Sequence, residues 1–145
     1  LYSSESPQRW AAGCLSDNIT VKGPYGSLLA VNRGWYGSGH GWSGAQIVFW
    51  NCSAPAIMVM QPPTAQNFSI GNSGVIEGQE AKNTCLRTIN AINGVSRSSF
   101  TYQGVPVAGD GWIEYPASAV YPVSLYYTQL RERKPEAVIP LKFNR

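Results

Sequence analysis

The sequence predicts an all-β domain, a β-sandwich or barrel. Three observations lead there. Apolar and β-branched runs of strand length recur along the chain, while apolar residues at helical spacing are scarce. Turn residues separate the runs, at Lys22-Gly-Pro, Asn32-Arg-Gly, Pro62-Pro63, Gly71-Asn72, Asn93-Gly94 and Gly109-Asp110-Gly111. Many short strands spaced this way form a sandwich or a barrel. With 145 residues the chain reads as one domain, 1–145, long enough to bury roughly two-thirds of its unfolded surface.

Each element follows from its own residues. Asn18 to Lys22 is short and β-branched, and Ser27 to Val31 is apolar. Ala45 to Trp50 is a continuous apolar run with β-branched and aromatic members, the mark of a strand buried on both faces. Ala56 to Met60 repeats that pattern; Phe68 to Ile70, Gly74 to Glu77, Ser99 to Gln103 and Trp112 to Tyr115 follow. Val123, Leu125 and Tyr127 alternate with Ser124, Tyr126 and Thr128, which predicts a half-buried strand. A last strand is expected over Ala137 to Phe143. The best helical segment is Gly78 to Asn90, though its apolar positions are few. No internal repeat is visible.

Composition narrows the function classes. Hydrophobic residues make up 43% and charged residues only 13%, which excludes a disordered chain. A net charge of +3 with no basic stripe gives no footprint for nucleic acid, and Arg131 to Lys134 reads as a solvated run. No apolar run approaches the length of a membrane span, so membrane insertion is not expected. Three cysteines without a CxxC or a Cys/His cluster argue against zinc, and no metal or cofactor is expected. The low-charge, Ser/Thr/Tyr-rich composition suits an exported protein. One disulfide is favoured between Cys14 and Cys52, with Cys85 free; the sequence leaves the other pairings, and three reduced thiols, open. Asn18-Ile-Thr, Asn51-Cys-Ser and Asn67-Phe-Ser fit the glycosylation pattern, but a Ser/Thr-rich chain produces such matches by chance.

Two glycine-rich loops carry the candidate chemistry. GWYGSGHGW, Gly34 to Trp42, lies between the runs SLLAV and AQIVFW; alternating glycine cannot sustain a strand there. GVPVAGDGWIEYP, Gly104 to Pro116, joins a tryptophan to two carboxylates. Catalysis fits neither loop well. His40 is the only histidine, and its serine neighbours in a loop do not build a triad. Gly41-Trp-Ser-Gly-Ala45 resembles a nucleophile elbow, but an elbow precedes a helix and here a strand follows. Sugar binding fits better: aromatic faces meet the CH patch of a ring, and carboxylate or amide oxygens accept from its hydroxyls. The expected site has one wall of Trp35, Tyr36, His40 and Trp42 and another of Asp110 and Trp112, with Gln103 and Glu114 as further contributors. Asp110 would accept hydroxyls and Trp112 would stack. Trp10 and Trp50 are assigned to the core.

From AQIVFWNC onward the chain resembles the lectin domain of two-domain tip adhesins of bacterial chaperone–usher pili. Cys52 closes IVFWNC and Cys14 opens AAGCLSDNITVKG, as the bonded pair does in such domains. AVYPVSLYYTQLRERKPEAVIPLKFNR is similar to their paired C-terminal strands. The resemblance implies an immunoglobulin-like β-sandwich in an elongated, jelly-roll-like variant, a disulfide and export. It also implies an N-terminal receptor-binding domain of a longer protein, secreted and displayed at a pilus tip, bound to the other pilus subunits and to host glycans. Thirteen residues precede Cys14, unlike the mannose-binding members, so no sugar-binding residue is transferred from the family. The expected function is therefore carbohydrate binding without catalysis. The alternatives are a structural pilin-like subunit associating by strand addition and a small hydrolase using Asp110 and Glu114.

Overall fold

The computed structural model describes residues 4–6, 10–24, 26–33, 40–77, 101–102, 105–106, 111–114 and 119–137. They form mostly strands with one short helix: β1 (Ser4–Glu5), β2 (Ala11–Ala12), β3 (Leu15–Asp17), β4 (Ser27–Ala30), β5 (Gly44–Ala45), β6 (Val48–Trp50), β7 (Ser53–Val59), β8 (Phe68–Ile70), β9 (Ser73–Glu77), β10 (Thr101–Tyr102), β11 (Val105–Pro106), β12 (Trp112–Ile113), helix α1 (Leu125–Arg133) and a 3₁₀ turn at Pro135–Ala137. The all-β expectation holds at this level.

Strand pairing differs from that of an immunoglobulin-like sandwich, which is antiparallel. Every pairing among the described strands is parallel except that of β10 with β11. One four-stranded sheet runs β1-β4-β7-β9 and a second runs β12-β8-β6-β3, with β2 and β5 paired in a further two-stranded sheet. The chain therefore returns to the two larger sheets on successive turns, passing through the β2-β5 pair on the first two, and stacks one turn on the next. The repetition is spatial, and its period is hidden by excursions of unequal length. One turn is compact: Asn67 and Asn72 each lie 20 residues beyond the backbone N–H groups they hold, at Ile47 and Cys52.

The apolar runs split at corners. Ala45 to Trp50 is two strands, because Gln46 takes a positive φ of 57° between β5 and β6. Gly13 (φ 67°) makes the equivalent corner between β2 and β3. After β3, β6 and β8 the chain turns again at Asn18 (φ 57°), Asn51 (φ 49°) and Gly71 (φ 66°). Asparagine and glycine are the residues that enter this left-handed region at least cost. At Gly71 a Cβ would also strike the Asn51 side chain and lie 2.7 Å from Val120 Cγ2.

The core explains the all-buried strands. Leu28, Ala30, Ile47, Phe49, Cys52, Ala54, Ile57 and Val59 form one buried cluster between the two larger sheets. Leu29, Val31, Trp42, Met58 and Met60 form a second. Leu28 and Leu29 are neighbours, so the clusters lie on opposite faces of β4 and the sheet is covered on both sides, as parallel sheets are. Each such side chain contributes about 1.5–3 kcal/mol by leaving water. Two buried asparagines tie the turns together. Asn67 Oδ1 accepts from the Ile47 N–H at 2.9 Å, and its Nδ2 donates to the carbonyls of Met60 (2.9 Å) and Gly44 (3.2 Å). Asn72 Oδ1 accepts from the Cys52 N–H at 2.6 Å; its Nδ2 donates to Phe49 O (2.9 Å) and Ser69 Oγ (2.8 Å).

Several local expectations are corrected. The segment expected to be a strand over Val123 to Thr128 begins a helix: Ser124 caps it, its Oγ accepting from the Tyr127 N–H at 3.0 Å, and Arg131 and Arg133 favour its carbonyl end. Cys14 and Cys52 are free thiols, one exposed and one buried, rather than a disulfide. Burial pushes the Cys52 thiol up, and its Sγ lies 3.3 Å from Ser16 O and 3.4 Å from Trp50 O. Trp10, assigned to the core, is 46% exposed at a positive φ of 57°. Asn51 and Asn67 spend their amides inside the protein, which leaves neither as a glycan acceptor. The expected helix at 78–90, the last strand beyond Ala137 and Cys85 lie outside the described residues.

Candidate functional site

The outward face of the β12-β8-β6-β3 sheet carries the site. Leu15, Val48, Phe68 and Trp112 occupy one register position across its four strands. The inward neighbours are Phe49 and Ser69, both buried. Side chains two apart share a face, so the next outward position holds Asp17, Trp50 and Ile70, with Glu114 following Trp112 on β12. Two outward columns therefore run across the strands.

The second column is partly covered by the segment 119–124, which lies along the corner made by Asn18, Asn51 and Gly71. Asn51 Oδ1 accepts from the Val120 N–H at 2.8 Å, while its Nδ2 faces the carbonyls of Val120 (2.8 Å), Val123 (2.9 Å) and Pro122 (3.2 Å). Asn18 Nδ2 donates to Val123 O at 2.6 Å, and Trp50 Nε1 donates to Pro122 O at 2.8 Å. Asp17 Oδ2 accepts from Ser124 Oγ at 2.6 Å and from the Tyr126 N–H at 2.8 Å, a carboxylate placed at the positive end of α1. Trp50, assigned to the core, is thus a half-buried outward residue held by this strap.

At the β12 edge the first column is open. Trp112 is 58% exposed, and Glu114 is exposed beside it. Their positions are set by main-chain bonds. The Gly111 N–H donates to Val59 O (2.9 Å), the Trp112 N–H to Asn67 O (2.8 Å) and the Glu114 N–H to Ser69 O (3.0 Å). A Cβ at Gly111 would lie 2.5 Å from Val59 Cγ1 and 2.9 Å from Asn67 O, so only glycine lets the strand approach this closely. Phe68, half-buried and in register with Trp112, completes an aromatic surface with one acidic acceptor at its margin.

Trp42, also expected in the site, is buried elsewhere. Trp42 is only 8% exposed and packs in the second core cluster; an antiparallel bridge with Asn32 and the bond from Arg33 N–H to Gly41 O (2.7 Å) close the base of its loop. The expectation that Trp42 forms a ligand wall is therefore corrected. His40 is half-buried at the same base. Trp35, Tyr36, Gln103 and Asp110 lie outside the described residues. Ser43 is fully buried and its Oγ accepts from the Val31 N–H at 3.1 Å, a structural role that agrees with rejecting the elbow motif. Phe68 is a candidate that the sequence alone does not point to. Its outward direction is legible from FSI only once Ser69 is known to face inward.

Among the described residues, no group of three or more His, Cys, Asp or Glu could hold a metal ion, and no helix is long and apolar enough to cross a membrane. Comparison with protein-family models, with curated proteins and with solved structures finds no match to the chain.

Proposed function

We propose that this chain is a non-catalytic carbohydrate-binding module of an exported adhesive protein, built on a stack of parallel strand turns. Its ligand sits on Trp112, Phe68 and Glu114. The observation that carries the reading is the Trp112 indole, more than half exposed on a backbone fixed by three main-chain hydrogen bonds to the turn beneath. A rigidly mounted ring costs little ordering entropy when a ligand stacks on it. Glu114, on the same face, supplies a charged acceptor for a sugar hydroxyl. A single shallow site of this kind binds weakly, and repeated display on a surface raises the effective affinity.

The pilus-tip setting and a host-glycan receptor come from the sequence resemblance. The free Cys14 and Cys52, and the helix in place of the C-terminal strand, remove two features on which that resemblance drew. Exposed aromatics with an acidic neighbour support carbohydrate binding independently of it.

The test is a glycan array probed with the protein and with Trp112→Ala. The expected result is binding by the first and none by the second, at the same melting temperature. An equal signal from both would remove this surface from consideration, and cleavage of the bound glycan would replace the lectin by an enzyme.

A further inference from the structure

The geometry points to a specific ligand class for this surface: an extended, neutral, linear polysaccharide lying along the stacking direction, one sugar per strand. The inference rests on the carbohydrate reading above and adds the shape and charge of the ligand.

Trp112, Phe68, Val48 and Leu15 are in register across four hydrogen-bonded strands. Neighbouring strands are spaced by about 4.7–4.9 Å. That spacing is close to the length that one pyranose adds to an extended β-linked chain, so successive rings meet successive side chains. The column is accessible at both ends, with Trp112 58% and Leu15 36% exposed, and Val48 and Phe68 half-buried between them. It is apolar throughout, which suits CH faces and offers a branched, polar cluster nothing to hold. The strap lies along one side, at the Trp50 column, and gives the surface a direction. Among the described residues, the charged groups beside it on the sheet are both carboxylates, Glu114 and Asp17, with Asp17 engaged by the strap. A polyuronate or sulfated chain would meet repulsion there, whereas a neutral chain would find an acceptor.

The experiment is a calorimetric titration of the full chain with neutral β-1,4-linked glucose, mannose and xylose oligosaccharides, from the monosaccharide upward, beside one acidic and one branched glycan. Within one series, affinity should climb with each added unit to about four, one per strand of the sheet, and then level off. Trp112→Ala should lose roughly tenfold or more, the behaviour of an aromatic anchor. Leu15→Trp, at an exposed position, should strengthen binding of chains of about four units or longer and leave shorter ones unchanged. Far-ultraviolet dichroism identifies any variant that fails to fold, and the length series on the unaltered chain decides the matter without variants. If a monosaccharide, a branched or an acidic glycan binds through Trp112 with no dependence on length, the linear-chain inference falls and the carbohydrate reading stands. If no sugar binds at all, both fall.

Discussion

Trp42 and Trp112 begin alike and end on opposite sides of the protein. Each follows a glycine in a glycine-rich segment. Trp42 is drawn onto the β4–β7 sheet, against Leu29, Val31, Met58 and Met60. Trp112 enters an edge strand of the other sheet in register with Phe68 and points outward. Glycine flanks thus do not decide whether an indole is exposed. What decides is the position each ring takes in the stack: Trp42 covers a sheet face that nothing polar could cover, and Trp112 sits on a face whose inward side is already filled by Ser69 and Phe49.

Breaking each half of this contrast should give effects of very different size. Trp42→Ala removes a buried aromatic and should cost about 3–5 kcal/mol, measured by urea denaturation; a cost under about 1 kcal/mol, usual for a surface residue, would return Trp42 to the surface. Asn67→Ala should come next. It strands the Ile47 N–H and the Met60 carbonyl in the interior, at about 1–3 kcal/mol for each group left unpaired, while the main-chain carbonyl of residue 67 that accepts from the Trp112 N–H is retained. Gly111→Ala should loosen the β12 edge and weaken glycan binding more than it lowers stability, because the new methyl meets Val59 and Asn67 O; unchanged affinity would mean that the close approach of β12 is immaterial to the site.

Two smaller effects sharpen the picture of the framework. Thiol labelling of a Cys85→Ser variant should modify Cys14 in the native protein and Cys52 only after unfolding; resistance of both would restore the disulfide. Glu5 is linked to Arg33 at 3.2 Å, yet burial raises its carboxyl above the usual glutamate value, with Arg33 pulling it partly back. A raised acid binds its proton more tightly in the folded state. Its contribution is therefore present below the unfolded glutamate range and lost as pH rises through the raised folded value. Glu5→Gln should flatten the stability profile in that window, and an unchanged profile would show that Glu5 does not titrate differently on folding.

The sequence made the strands legible and their pairing illegible. Phe68 to Ile70 was read at its observed bounds, and Ser27 to Val31 within one residue. The Ala45 to Trp50 run suggests a strand buried on both faces, but β6 has Val48 and Trp50 half-buried on its outward face, and the strand buried on both faces is β4. The sandwich expectation arises because the turns between runs look the same whether a chain reverses or merely bends. A corner at Gln46 has no glycine or proline to announce it. The helix was hidden for a different reason: Val123 to Thr128 alternates over a few residues by coincidence, while the signal that matters, Ser124 ahead of Leu125 to Arg133, depends on Asp17, more than 100 residues earlier in the chain. At the proposed surface, Trp112 and Glu114 are legible as candidates from composition. Phe68 required knowledge of which turn lies beneath β12, and that is a long-range fact.

The most direct measurement follows the indole N–H resonances of the five tryptophans during titration with a neutral β-linked oligosaccharide. The account predicts that the Trp112 resonance, assigned with Trp112→Phe, shifts and saturates while those of Trp42 and Trp50 stay in place. A saturating shift at Trp42 with Trp112 unmoved would contradict it.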